Sequence, residues 1–189
     1  MNKQFAFGMM LLTVVIVSSG HAQIQAIGAG GGIATPAGNF SNFAGSGFGG
    51  VVRTHYMKEG LEPLIFTGAV GYLQFGAKEW TFLGQSTGLD YNWSLVPVMS
   101  GARYYLGQPN AGVRLYAGGE IGLHFYSVTL STDAGQSTSG ALGSSTKFAL
   151  QPMAGAAIGP LDIYAMYSLT DLNYFGLNAM FVFPVGKKK

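Results

Sequence analysis

From Val113 to Ser127 every second residue is apolar or small: Val113, Leu115, Ala117, Gly119, Ile121, Leu123, Phe125 and Ser127. Between them stand Arg114, Tyr116, Gly118, Glu120, Gly122, His124 and Tyr126, which are polar, aromatic or glycine. Successive side chains on a strand point to opposite faces, so one face can meet hydrocarbon while the other carries charge. A tilted strand of about 9–11 residues crosses a bilayer. This run is longer than that and contains no proline. It predicts a membrane-spanning strand.

The same division recurs. Phe148, Leu150, Pro152, Ala154, Ala156 and Ile158 oppose Lys147, Gln151, Met153 and Gly155; Leu161, Ile163, Ala165, Tyr167 and Leu169 oppose Asp162, Tyr164, Met166 and Ser168. Near the C-terminus Phe175, Leu177, Ala179, Phe181 and Phe183 oppose Tyr174, Gly176, Asn178 and Met180. Eight extended runs follow, at about residues 24–35, 47–57, 63–75, 91–106, 113–130, 147–158, 161–170 and 174–185, separated by Gly, Ser, Asn, Asp and Pro. Their connections alternate. Lys58-Glu59-Gly60, Gly107-Gln108-Pro109-Asn110 and Gly159-Pro160 are short, whereas Pro36 to Ser46, Gly76 to Asp90 and Ser131 to Thr146 are long; Asp171-Leu172-Asn173 is again short. Short turns at one end and longer loops at the other are the habit of outer-membrane barrels. The expected fold is all-β: an eight-stranded antiparallel up-and-down transmembrane barrel. Pro97 and Pro152 fall inside runs, where each removes a ladder donor and predicts a bulge or weak pairing. Aromatics at the ends of runs (Tyr56, Phe75, Tyr91, Trp93, Tyr104, Tyr105, Phe125, Tyr126, Phe181, Phe183) predict two interfacial girdles.

The first residues read as a secretory signal. Lys3 precedes an apolar stretch from Phe5 to Val17, and Ser18-Ser19-Gly20-His21-Ala22 supplies small residues at a cleavage site. The expected division is residues 1–22 as signal peptide, 23–186 as the barrel domain and 187–189 as a basic tail. Localisation in the outer membrane of a Gram-negative-type bacterium follows.

Composition narrows the choice. The chain has no cysteine, which excludes disulfides and thiolate metal sites. Charged residues are 10% of the chain, against about 25% in ordinary soluble domains. The net charge of +2 is too small to imply a nucleic-acid partner. Without Lys3 and the three terminal lysines, six basic residues face eight acidic ones.

With this evidence the chain resembles the small eight-stranded outer-membrane barrels, the group of the OmpA transmembrane domain and OmpX. The residues that carry the likeness are Ile27-Gly28-Ala29-Gly30-Gly31-Gly32-Ile33-Ala34-Thr35-Pro36, Ser100-Gly101-Ala102-Arg103-Tyr104-Tyr105-Leu106 and the closing aromatic strand through Phe183. The family usually ends on an aromatic residue read during assembly; here Pro184-Val185-Gly186 and three lysines follow Phe183.

An eight-stranded barrel is filled by its own side chains. By parity, Arg53, Arg103, Arg114, Glu120 and Asp162 point inward and are expected to form a salt-bridge network, with His55, His124 and Gln151 as further polar lumen residues. Inward glycines (Gly101, Gly118, Gly122, Gly155, Gly176) are expected to leave water-filled pockets. Glu120 exchanging arginine partners would make a narrow pore for ions or small solutes, the alternative to a plug. A lipid-modifying enzyme is the second alternative. His55 and His124 lie on different runs, neither in a motif with Ser and a carboxylate, and His124 with Ser127 is the one local pair. A soluble exported barrel for an apolar ligand is a further rival.

No His, Asp or Glu cluster has metal-ligand spacing, so no metal and no cofactor are expected. Gly28 to Gly32 lacks the helix and Lys-Ser/Thr of a phosphate loop. Trp80 and Phe82 are candidate contacts in the second external loop, and the Ser/Thr/Gly-rich loops could meet a surface ligand or protein. The Lys187 to Lys189 tail reads as solvated, with contact to anionic headgroups as the sharper alternative. The expected state is a monomer in outer-membrane lipid, without catalytic activity.

Overall fold

A computed structural model of the chain describes residues 24–58, 60–82, 85–108, 111–132 and 141–185. The expected signal peptide and basic tail lie outside these residues. Eight strands, β1 (Ile24–Pro36), β2 (Gly47–Met57), β3 (Leu64–Phe82), β4 (Gln85–Tyr105), β5 (Val113–Thr132), β6 (Ala141–Ile158), β7 (Leu161–Ser168) and β8 (Tyr174–Pro184), pair in order and antiparallel. β1 closes the sheet against β8, so that Ile33 lies between Phe48 and Leu177. Closure leaves no strand edge around the wall, which lets a sheet sit in lipid.

The outward face is oily all round the cylinder. Phe48 is 71% exposed, Phe148 65% and Ile121 50%, and Ile33, Val52, Leu115, Leu177 and Phe181 are comparably bare. Among the described residues, no outward position of this belt is Asp, Glu, Lys or Arg. A soluble protein does not leave so continuous an apolar surface bare.

Not every end-of-strand aromatic belongs to this face. Phe75, Tyr105 and Tyr126 are buried in the interior, and Trp93 packs against the cluster that holds Phe75 and Tyr126. Outward rings are instead Phe48, Phe66, Tyr72, Tyr104, Phe148, Phe175, Phe181 and Phe183. Position along the strand sets the depth of a ring, whereas parity decides which side it serves.

Two expected loops are largely strand. Residues 76–90 and 131–146 were expected to be irregular, yet β3 runs to Phe82, β4 begins at Gln85 and β6 at Ala141. Trp80 and Phe82 therefore sit on β3, and their side chains lie outside the described residues. Past the belt the lipid no longer demands alternation, but backbone pairing can continue, from Leu89↔Thr132 to Phe82↔Gln85.

The two prolines weaken pairing without a bulge. Opposite Pro97 the β3–β4 ladder breaks off at Val70↔Val98 and resumes in the same register at Leu73↔Leu95. Opposite Pro152 the β6–β7 ladder stops at Met153↔Met166 and returns at Leu150↔Leu169. Each missing N–H faces one neighbour only, so one ladder is interrupted and the other continues.

Candidate functional site

The interior is stacked in levels from the turn end outward. Arg103 on β4 is wholly buried, and its Nη1 donates to Asp162 Oδ2 at 2.5 Å. The Tyr116 hydroxyl donates to the other oxygen, Oδ1, at 2.5 Å. The Arg103 guanidinium also lies 4.5 Å from the Tyr116 ring centroid and 5.1 Å from that of Tyr164. Such faces suit a cation that has left water.

Midway, Arg53 on β2 grips Glu120 on β5 across the lumen. Its Nε donates to Oε1 at 3.0 Å and its Nη2 to Oε2 at 2.9 Å. Thr67 Oγ1 donates to the same Oε1 at 2.9 Å, and Tyr164 lies beneath the guanidinium at 4.7 Å. Both charged side chains are almost fully buried. A cavity of about 30 Å³ beside them, lined by Arg53, Glu120, Gln151, Tyr164 and Asn178, has room for about one water.

Above this level lie uncharged polar groups, with Lys147 and Asp171 paired nearer the outer end. The Gln151 amide donates to Tyr174 Oη at 3.1 Å and lies 3.2 Å from His124 Nε2. The network therefore makes Nε2 the acceptor and leaves Nδ1 to donate to Tyr126 Oη at 3.1 Å.

The outer mouth is closed from outside the sheet. A short 3-10 helix, Gly38–Asn42, lies over it and buries Phe40. Phe40 packs edge-on against Phe75 at 5.0 Å and Trp93 at 5.5 Å, above Leu73, Leu95, Tyr126 and Tyr174. The covering loop is tied down by Ala37 N–H to Asn173 O at 2.9 Å, Gly45 N–H to Gly76 O at 2.9 Å and Lys78 Nζ to Ser41 O at 2.6 Å. Nothing in the sequence marked Phe40, because its burial depends on how this loop folds back.

The structure thus places Arg53, His55, Arg103, Glu120, His124, Gln151 and Asp162 inside and buried. It brings together Arg53 with Glu120 and Arg103 with Asp162, as two separate pairs. Arg114 faces inward but forms no ion pair with a described residue. Its guanidinium lies 4.4 Å from the ring centroid of Tyr105, while the oxygens of Asp162 accept from Arg103 and Tyr116. His124 and Ser127 have opposite parity on β5, so they cannot act as a local pair.

Water-filled pockets at the five inward glycines are not what is found. A β-carbon on Gly101 would meet Glu120 Cγ at 2.8 Å, on Gly118 Arg103 Cγ at 3.2 Å, and on Gly155 the Tyr116 hydroxyl at 2.6 Å. On Gly122 and Gly176 it would strike the methionine sulfur of Met99 and the methyl of Met166, at 2.9 Å and 2.7 Å. The missing side chains make room for their neighbours' large ones, which lie flat across them.

This arrangement has solved counterparts. The chain is similar to Neisserial surface protein A, with 17% identity, a TM-score of 0.55, and 87% of this chain and 99% of that one covered. It is also similar to Ail, the attachment invasion locus protein of Yersinia pestis, at 20% identity and a TM-score of 0.50, over 84% and 97% of the two chains. The fold is that of the small eight-stranded outer-membrane barrels. No family model and no curated protein matches the chain. In this barrel, side chains cross the interior at each level described between Phe40 and Arg103.

Proposed function

We propose that the protein is exported by removal of residues 1–22, inserts in the outer membrane, and works at the cell surface as a sealed, non-catalytic barrel that presents a binding surface. The observation that carries this reading is the projection of four strands beyond the others. β2 pairs with β3 only as far as Gly47↔Phe75, and β7 meets β6 no further out than Leu150↔Leu169. Past those points β3, β4, β5 and β6 continue together, to Phe82↔Gln85 and Thr129↔Ala141. The result is a small sheet standing outside the mouth, whose outermost strands pair on one side only. Such a sheet can take up an extended segment of a partner through main-chain hydrogen bonds.

The filled lumen supports the non-conducting part. Glu120 and Arg103 are cut off from water, and a passing ion would have to part a buried charge pair, which costs several kcal/mol. Among the described residues the hydrogen bonds of His124 run to Tyr126 and Gln151 and to no serine or carboxylate, which supports a non-catalytic reading. Planar-bilayer recording tests the seal, with silence the expected result. Stepwise currents abolished by Glu120→Gln would establish the pore instead. Labelling of a tag placed between Leu83 and Gly84 on intact cells tests the orientation, and an unlabelled tag would refute surface presentation.

A further inference from the structure

Among the described residues the lumen carries one more guanidinium than carboxylates. Three guanidiniums, of Arg53, Arg103 and Arg114, face two carboxylates, of Glu120 and Asp162; Lys147, at the outer end, is paired with Asp171 at 2.6 Å. Arg114 is the unmatched cation. Arg114 is half-buried, and a guanidinium held at such a partly screened place without a carboxylate attracts a counter-charge.

Beside it lies the larger cavity of the molecule's turn end, of about 280 Å³. Its walls are mainly apolar, with Met57, Ile65, Ala157, Leu161 and Val182, and its polar groups are few: His55, Tyr105 and Asp162 among them. Arg114 does not itself line the cavity but adjoins two residues that do, Tyr105 and Ala157. Its guanidinium covers the Tyr105 ring, and its backbone pairs with Ala157. Several nitrogens on or beside the cavity wall have no hydrogen-bond partner among the described residues. His55, 6% exposed, has no partner for Nδ1; Arg103, wholly buried next to Asp162, has none for Nε or Nη2; and Arg114 has none for Nε. Buried nitrogens of native proteins are ordinarily bonded, so an unmet group of this number and sign marks a place for acceptors.

The cavity goes no further. Asp162 on its wall and Arg103 bound to Asp162 are both within 2% of full burial, as is Glu120 at the level beyond, so the cavity does not serve passage. A recess with apolar walls, a few convergent donors and one open side has the make-up of a small-molecule site.

We infer that this turn-end recess binds a small amphiphilic anion, a carboxylate or phosphate-monoester head on a short hydrocarbon stem, with the head at Arg114 and His55 and the stem along Ile65, Leu161 and Val182. The role is distinct from the surface reading above and does not depend on it, because the recess lies at the opposite end of the barrel.

The test is methyl NMR of the barrel folded in a non-ionic detergent, titrated in separate arms with hexanoate, butyl phosphate and neutral hexanol. Saturable shifts of the Ile65, Leu161 and Val182 methyls with either anion, at least tenfold tighter than with hexanol, are expected. The tighter anion identifies the head. Leu95, under Phe40, should not move. Arg114→Gln should weaken the anion at least tenfold and Arg114→Lys should largely retain it, with the heat-shifted gel band of each variant showing that it is folded. Should Arg114→Gln fail to fold, the Arg114→Lys variant and the hexanol arm decide. Equal binding of hexanol and the anions, no saturable shift at all, or undiminished binding to folded Arg114→Gln would overturn the assignment.

Discussion

Arg53 and Glu120, separated by 67 positions in the chain, meet across the lumen through two parallel N–H···O bonds. The bidentate fork explains why arginine rather than lysine suits this place. Removing one partner strands the other. Glu120→Gln is expected to destabilise the barrel by about 3–5 kcal/mol, while Arg53→Met with Glu120→Leu should recover most of that loss. Equilibrium urea unfolding of the protein folded in liposomes measures both. Equal losses in the single and double variants would show that the pair is not what holds this level together.

The outward belt predicts a dependence on depth. Ile121 lies at the level of Glu120 but points the other way and is half exposed. Ile121→Lys should cost about 2–4 kcal/mol, and Thr129→Lys, near the outer end of the same strand, about 0–1 kcal/mol. The same unfolding measurement separates them, and equal costs would contradict a bilayer seated around Ile121.

Gly118 gives the third expectation. A β-carbon there would lie 3.0 Å from Arg103 Cα and collide with the carbonyl oxygen of Ala102. Gly118→Ala should cost about 1–3 kcal/mol, as overpacking does. Gly143→Ala, with nothing within 4 Å, should fall within about 0.5 kcal/mol of the parent protein. If the two variants unfold alike, Gly118 is not making room for Arg103.

Face was legible in the sequence, and level was not. Parity alone sorted Arg53, Glu120 and Asp162 inward and Phe148 and Leu177 outward, because alternation follows from the pleat itself. Which arginine meets which carboxylate depends on strand stagger, and this sends Asp162 to Arg103 and leaves Arg114 against Tyr105. Aromatic rings were read by position along the runs, so Phe75 and Trp93 were expected outside although their parity is inward. The long β3–β4 hairpin escaped notice because the hydrocarbon that enforces a two-faced pattern stops short of Phe82. Phe40 was hidden for another reason: its burial belongs to a loop folding back across four strands.

The seam from Ala26↔Pro184 to Pro36↔Tyr174 joins the first strand to the last. A nascent chain that ends before Tyr174 therefore has two raw margins, one on β1 and one on β7, each with main-chain groups that hydrocarbon cannot solvate. Such an intermediate has no stable resting place in the bilayer. Insertion must await a finished polypeptide, and the longest-range contact in the molecule is also the one that decides when it can become a membrane protein.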